Sequence, residues 1–408
     1  MSKKPSNPNV NTKPKSSGAL RESETSTRES HKNGYGGKMI EEDGTVKINR
    51  FTPLVFTGTA RQLFGIQFVN ILLSLITLGI WIPWARVRNR RFFYGNTRAL
   101  DEGIDYLATG FALFKGWVLV LAAITIFYVT PLFADGVPYV QEGLSALFVL
   151  VYPWALTKSI YFNARNLAWR DVRFDWKGGY FGAAWYFFLF PVIAVLSFGL
   201  LLPVMSCKAR QYIVNNYRFG KTSFEADLDI GSFYKVAVQA LLAFIFMLIL
   251  VGVFSFCILV MIFGYQTGDT LFDNLMLFTA YDLGNMSSYL LYLIPLLFLA
   301  TFYATGAFYH ALTRNIMINK LKLHGGIKFR SELSGTKLAW IIISNNLVTL
   351  LSLGLLWPWA QVRRYRYMVE STQLRPSQSI DNFIDTQSRA GHSIGDAASD
   401  AGGIELQF

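Results

Sequence analysis

The chain has 408 residues, 52% of them hydrophobic and 16% aromatic, with only 16% charged and a positive mean hydropathy. That excludes an ordinary soluble domain, in which about a quarter of residues are charged. The formal net charge of +12 points to a membrane surface rather than to nucleic acid, because Lys and Arg beside apolar spans are what the positive-inside rule places on the cytoplasmic face.

Residues 1–45 are rich in Ser, Lys, Asn, Thr and Gly and lack an apolar segment. They read as a disordered cytoplasmic tail without a cleavable signal peptide. A polytopic membrane domain follows over 46–375, and 376–408 reads as a second disordered tail. Within the domain, apolar segments run at roughly 60–82, 114–133, 143–164, 180–206, 234–264, 287–313 and 334–357. Each is long enough for a span of about 20 residues.

The first segment ends abruptly. Residues 78–91, LGIWIPWARVRNRR, put Gly79 and Pro83 at the end of an apolar run and then deliver Arg86, Arg88, Arg90 and Arg91. Residues 353–364, LGLLWPWAQVRR, do the same. Laying Gly79 on Gly354 superposes Asn70 on Asn345, Pro83-Trp84-Ala85 on Pro358-Trp359-Ala360 and Arg88 on Arg363. Weaker copies lie at 198–216, with Gly199 and Pro203, and at Pro153-Trp154-Ala155. A fifth runs from Gly306 to Asn319 and is the faintest. Fixed spacing of Asn, Pro, Trp and Arg marks an internal repeat of about five units.

Short polar stretches follow four of the copies: TRALDEGIDYLA, LAWRDVRFDWKGG, YRFGKTSFEADL and KLKLHGGIKFRSEL. TVKINRFTPLVF precedes the first span. β-Favouring residues flank turn-compatible centres, and Gly-Lys at 220 and Gly-Gly at 325 suit tight hairpins. Ordinary polar loops are the alternative. If the copies share one side, four hairpins could assemble a sheet or collar there.

Every stretch after a copy is basic: 86–98, 158–177, 208–221, 314–337 and 363–375. The connections at 133–143 and 265–285 have no Lys or Arg and carry Asp135, Glu142, Asp269, Asp273 and Asp282. The positive-inside rule therefore puts all basic stretches in the cytoplasm. The segments at 60–82, 180–206 and 334–357 must then enter and leave on one side, turning where Gly ends one helix and Pro starts the next. The expected fold is an all-α polytopic membrane protein. Its seven apolar helical segments would be four full spans plus three re-entrant broken helices, with short cytoplasmic β-hairpins. Seven straight spans are the alternative.

No HExxH or Walker A motif is present. His31, His310, His324 and His392 are scattered, and no metal or cofactor is indicated. Cys207 and Cys257 lie in separate apolar stretches without a CxxC and read as small buried hydrophobes. Polarity at membrane depth does stand out. Asn70, Asn345 and Asn346 each need a partner there, and helix-to-helix glue is the plainer reading. The functional reading adds helix starts at Pro83, Pro153, Pro203 and Pro358. Their N-termini could favour an anion, reinforced by Arg86, Arg88 and Arg363. Trp84, Trp154 and Trp359 could instead be interfacial anchors.

The segment FTGTARQLFGIQFVNILLSLITLGIWIPWARVRNRRFFYGNTRAL closely resembles the opening of the YjgN-like family, bacterial multispanning inner-membrane proteins classed as a domain of unknown function. The resemblance covers roughly residues 50–375. It implies a bacterial inner-membrane location and supplies no substrate or catalytic residue. The expected partner is the lipid bilayer, chiefly anionic lipids. Transport through an anion-favouring cavity and a lipid-binding scaffold with a cytoplasmic partner both stay open.

Overall fold

The computed structural model describes residues 38–40, 46–48, 50–133, 139–267, 280–324, 327–376 and 384. Among them, ten helices run as five consecutive pairs. The first pair is α1 (Ala60–Ile76) and α2 (Ile82–Gly95). The second is α3 (Gly110–Phe133) and α4 (Val140–Arg165). The third is α5 (Tyr180–Leu196), with a π-helical turn at Trp185–Leu189, and α6 (Leu202–Asn215). The fourth is α7 (Ile230–Thr267) and α8 (Ala280–Lys320). The fifth is α9 (Gly335–Leu351) and α10 (Trp357–Glu370).

At about 1.5 Å per residue, α3 reaches about 36 Å and α1 only about 25 Å. Gly110–Phe133, Val140–Arg165, Ile230–Ile258 and Ile294–Lys320 are long and apolar enough to cross a membrane, and Ala60–Ile76 and Tyr180–Leu196 are shorter apolar helices. Two pairs are thus long and three are short.

The short pairs turn at one kind of corner. Leu78 and Gly79 have φ of 50° and 90°, Phe198 and Gly199 53° and 82°, and Leu353 and Gly354 49° and 88°. Two successive left-handed residues reverse the chain, and only glycine takes that conformation without strain. A hydroxyl at the same position closes each corner. Thr77 Oγ1 accepts from Trp81 N (3.0 Å), Ser197 Oγ from Leu201 N (3.0 Å) and Ser352 Oγ from Leu356 N (3.1 Å). The bulky residue before each glycine is bare, with Leu78 93%, Phe198 99% and Leu353 93% exposed. Water would penalise that exposure and hydrocarbon would not.

Strands link the pairs. They are β3 (Thr52–Pro53), β4 (Val55–Phe56), β5 (Thr97–Ala99), β6 (Glu102–Tyr106), β7 (Leu167–Trp169), β8 (Val172–Trp176), β9 (Tyr217–Phe219), β10 (Thr222–Ala226), β11 (Leu321–Leu323), β12 (Ile327–Ser331) and β13 (Thr372–Pro376). A separate pair, β1 (Lys38–Ile40) and β2 (Val46–Ile48), lies before them. The hairpin turns at Leu100-Asp101 and Arg170-Asp171 put both central residues at positive φ, from 49° to 71°, the geometry that matches the strand twist. Gly220, with φ of 58°, opens the third turn.

The all-α expectation is overturned here. The hairpins join into one antiparallel sheet of eleven strands in the order β3-β13-β12-β11-β10-β9-β8-β7-β6-β5-β4. Its two edges, β3 and β4, are separated in the chain only by Leu54. One extended segment thus pairs with β13 on one side and β5 on the other, and the sheet curls into a nearly closed barrel-like collar. Single strands of two to five residues look like loops in the sequence, and their stability comes from neighbours up to about 320 residues away in the chain.

The collar is filled. Ala99, Leu100, Trp169, Val172, Phe219, Leu323, Ile327 and Leu374, contributed by every hairpin around the ring, form one buried cluster with Ile384, and Phe174, Phe224 and Phe329 pack against it. The Trp169 and Phe219 rings lie 5.9 Å apart, and those of Phe174 and Phe219 5.0 Å.

Above the collar the second helix of each pair forms an inner layer. Val87 and Phe162 join α2 to α4, Cys207 and Ile316 join α6 to α8, Ala311 and Met368 join α8 to α10, and Val362 and Phe92 join α10 to α2. The first helices pack outside, with α1 sealed to α10 by Gln67 Nε2 donating to Gln361 Oε1 at 2.7 Å. The connections at 134–138 and 268–279, Gly325-Gly326, and the predicted tails except 38–40, Pro376 and Ile384 lie outside the described residues.

Candidate functional site

The polar residues at depth pair with each other. Arg363 Nη1 donates to Asn345 Oδ1 (2.9 Å) and Ser344 Oγ (2.7 Å), while Asn345 Nδ2 donates to the Ala360 carbonyl (2.8 Å). The first corner repeats this bracket more loosely. Arg88 Nη1 donates to Asn70 Oδ1 (3.2 Å), and Asn70 Nδ2 donates to the Ala85 carbonyl (3.5 Å). The third corner has Phe190 where the asparagine would stand and Lys208 where the arginine would stand. Lys208 turns instead to Gln211 Oε1 (3.4 Å). Where the amide is lost the guanidinium goes with it, as expected of partners. Asn346 is exposed.

Pro83, Pro203 and Pro358 open helices α2, α6 and α10, but Pro153 lies inside α4 and starts none. At the first corner the donors near the helix start are occupied locally: Ile82 N bonds the Gly79 carbonyl and Ala85 N the Trp81 carbonyl, both at 3.1 Å. Trp84 stacks on Trp81 at 5.5 Å and lies against Gly110, where a Cβ would meet its ring at 2.1 Å. The Arg363 guanidinium covers Trp359 at 5.2 Å. Trp154 is 45% exposed. Arg86 is exposed.

Other arginines fasten helices to the collar. Arg91 Nη2 donates to the Ala108 carbonyl and Arg366 Nη2 to the Gly58 carbonyl, each at 2.9 Å. Arg90 donates to Tyr106 Oη (2.8 Å) and to Asn163 Oδ1. Asn96, Asn166 and Asn216 each turn Nδ2 back to a carbonyl four residues earlier, at 2.7–2.8 Å, ending a helix where a strand begins. In the fourth pair the residue before the strand is Lys320, and Asn319 instead holds both the N–H (2.7 Å) and the carbonyl (3.3 Å) of Ser331.

Sequence reasoning missed a cluster on the inner layer. Arg210 on α6, Arg314 on α8 and Arg364 on α10 all lie close enough to act electrostatically on His310 of α8. Arg314 is anchored to Ser331 Oγ (2.9 Å), Thr372 Oγ1 (2.8 Å) and the Met368 carbonyl (3.2 Å). His310 reads in the sequence as an isolated histidine on an apolar helix. Its neighbours come from pairs about 50 to 100 residues away, and only the ring order brings them in. Near the base of the layer Tyr94 lies close enough to the start of β9 to act on Tyr217, and burial, with Tyr94 adding to it, pushes the Tyr217 phenol up. Among the described residues no group of three or more His, Cys, Asp or Glu side chains could hold a metal ion.

The match to known proteins covers most of the chain. Residues 51–401 fit the family described as bacterial protein of unknown function (DUF898). The inner membrane protein YjgN of Salmonella typhimurium (strain LT2) is 27% identical over 369 residues, covering 81% of this chain and 90% of the relative. The proteins of the same name from Escherichia coli O157:H7 and strain K12 are each 23% identical, covering 78% of this chain and 87% of theirs. No solved structure matches. A filled β-collar carrying helices apolar enough to cross a membrane, in a chain matched over this length, is a membrane protein and belongs to the DUF898 family.

Proposed function

We propose that this protein is a multi-pass inner-membrane protein that gathers anionic phospholipids around a cytoplasmic collar. In this reading the five helix pairs are copies of one repeated unit. Two pairs cross the bilayer, and three turn back inside it.

The supporting observation is where the outer helices begin. All five start at the collar, and a helix N-terminus carries about half a positive charge that normally attracts acidic residues. No acidic residue lies in the first turn of α1, α3, α5, α7 or α9. Asp229, just before α7, is an exception at the cap. Exposed cations stand at these starts instead: Arg61, Lys115, Lys177, Lys235 and Lys337. A positive field of that kind at headgroup depth is complemented by phosphate, and each Lys or Arg near an anionic surface contributes about 1 kcal/mol. The basic side of the chain is then the cytoplasmic one by the positive-inside rule.

The test uses nanodiscs of mixed phosphatidylglycerol and phosphatidylcholine. Exchanging all five cations for glutamine should sharply reduce the enrichment of phosphatidylglycerol among copurifying lipids. Undiminished enrichment refutes the reading. A second reading, anion transport, is favoured by the inner cation cluster and opposed by the filled collar on its axis. Phosphate flux into proteoliposomes above that of empty vesicles would restore it.

A further inference from the structure

One group of positive charges on the inner layer has no ion-pair partner among the described residues. Three helices from three successive pairs, α6, α8 and α10, pack together through Cys207 and Ile316 and through Ala311 and Met368, and there Arg210, Arg314 and Arg364 lie near His310, the charges that act on it all being arginines. Helix α7 packs on both α6 and α8, and α9 on both α8 and α10, which leaves the side of the three helices turned away from α7 and α9 for these side chains. Arg314 is fixed by its three bonds to Ser331, Thr372 and Met368. Among the described residues, the side chains of Arg210, His310 and Arg364 have no hydrogen bond or ion pair. His310 and Arg364 are exposed and Arg210 is partly buried. Exposed and without partners of their own, His310 and Arg364 leave room beside Arg210 that a ligand can enter.

Like charges held together in a partly desolvated place repel strongly unless an anion joins them. Acidic residues are missing from the neighbouring helix stretches. Leu202–Asn215 has none, 294–320 has none, and Trp357–Glu370 has only Glu370 at its far end. Arginine forks and an imidazole are the donors that suit the oxygens of a phosphate. The face of α8 that carries His310 continues away from the collar through Gly306, Tyr303 and Leu299. All three are exposed, at the spacing that keeps residues on one helix face. An acyl chain could lie along that stripe while its headgroup sat among the cations.

We infer that Arg210, His310 and Arg364, steadied by Arg314, form a binding site for a phosphate-type oxyanion inside the helix ring. The site is separate from the outer belt of cations, shares no residue with it, and does not depend on that reading. The shared chemistry fits either a phospholipid headgroup or free inorganic phosphate.

Purified full-length protein in detergent is titrated in parallel with short-chain phosphatidylglycerol, short-chain phosphatidylcholine and inorganic phosphate, with binding followed by calorimetry and by native mass spectrometry. Saturable binding of phosphatidylglycerol alone assigns the site to a lipid headgroup. Saturable binding of inorganic phosphate as well assigns it to the free anion. In either case Arg364→Gln and His310→Gln, both at exposed positions, should weaken the interaction about tenfold or more, as expected when a hydrogen bond to a charged group is lost. Arg210→Gln should do the same, and thermal unfolding of each variant confirms that it is folded. Glutamine at the five belt positions should leave this stoichiometric binding intact. The inference is overturned if none of the anions binds saturably, or if folded Arg364→Gln and His310→Gln proteins bind as tightly as the native one.

Discussion

Asn345 is buried with both ends of its amide used, on Arg363 and on the Ala360 carbonyl at 2.8–2.9 Å. Asn70 holds the equivalent partners at 3.2 and 3.5 Å. Asn345→Ala should therefore cost about 1–3 kcal/mol, the penalty for stranding buried polar groups, and Asn70→Ala measurably less. Thermal unfolding of the two variants in one detergent orders them, and equal losses would contradict the bracket geometry. Asp229 offers a pH test outside the membrane-crossing segments. The hydroxyl and N–H of Ser232 and the N–H of Gly231 hold its carboxyl below the usual aspartate value. A depressed carboxylate contributes stability that is complete above its unfolded value and is lost as pH falls through the folded one. Protection of the Gly231 and Ser232 amides, measured against the intrinsic exchange rate at each pH, should fall in acid, and Asp229→Asn should remove that acid dependence. At this scale the sequence was partly legible. A lone asparagine in an apolar run demands a partner, but the sequence reading assigned Arg88 and Arg363 to an anion, and only the structure gives them to Asn70 and Asn345. Nothing in the spacing named His310, Arg210 and Arg364 as neighbours, because their meeting depends on the order of helices around the ring.

The corner is the element on which the short pairs depend. Gly354 has φ of +88° with open space where a Cβ would go, whereas a Cβ on Gly110 would sit 2.1 Å from the Trp84 ring. Gly354→Ala should thus cost only the backbone term, about 1 kcal/mol. Gly110→Ala must displace an indole and should cost more, as overpacking does. Unfolding measurements on the pair separate strain from collision, and a larger loss at Gly354 would be inconsistent with the corner. The Gly-to-Pro break was legible because both residues have strong positional preferences at helix ends. The helix start expected at Pro153 does not occur, because the same proline is carried through the longer helix α4. Proline limits a helix only where packing lets it.

The whole molecule is organised by a ring, and the ring is what the sequence concealed. Hairpins could be read from turn chemistry, but closure depends on Thr52–Phe56 pairing in two directions at once. No local pattern encodes that. Directly opposed residues in an antiparallel pair are near enough for a disulfide. Cysteines at Val55 and Arg98, and separately at Pro53 and Gln373, should each crosslink on oxidation in a background lacking Cys207 and Cys257. Formation of the first bond without the second would open the ring. The account stands most directly on where the corners lie relative to the collar turns. In the same cysteine-free background, single cysteines at Asp101, Asp171, Lys221 and His324 should all react with a membrane-impermeant thiol reagent from the cytoplasmic side alone. Cysteines at Leu78, Phe198 and Leu353 should react from neither side. Reaction of Leu78, Phe198 or Leu353 positions from the periplasmic side would contradict it.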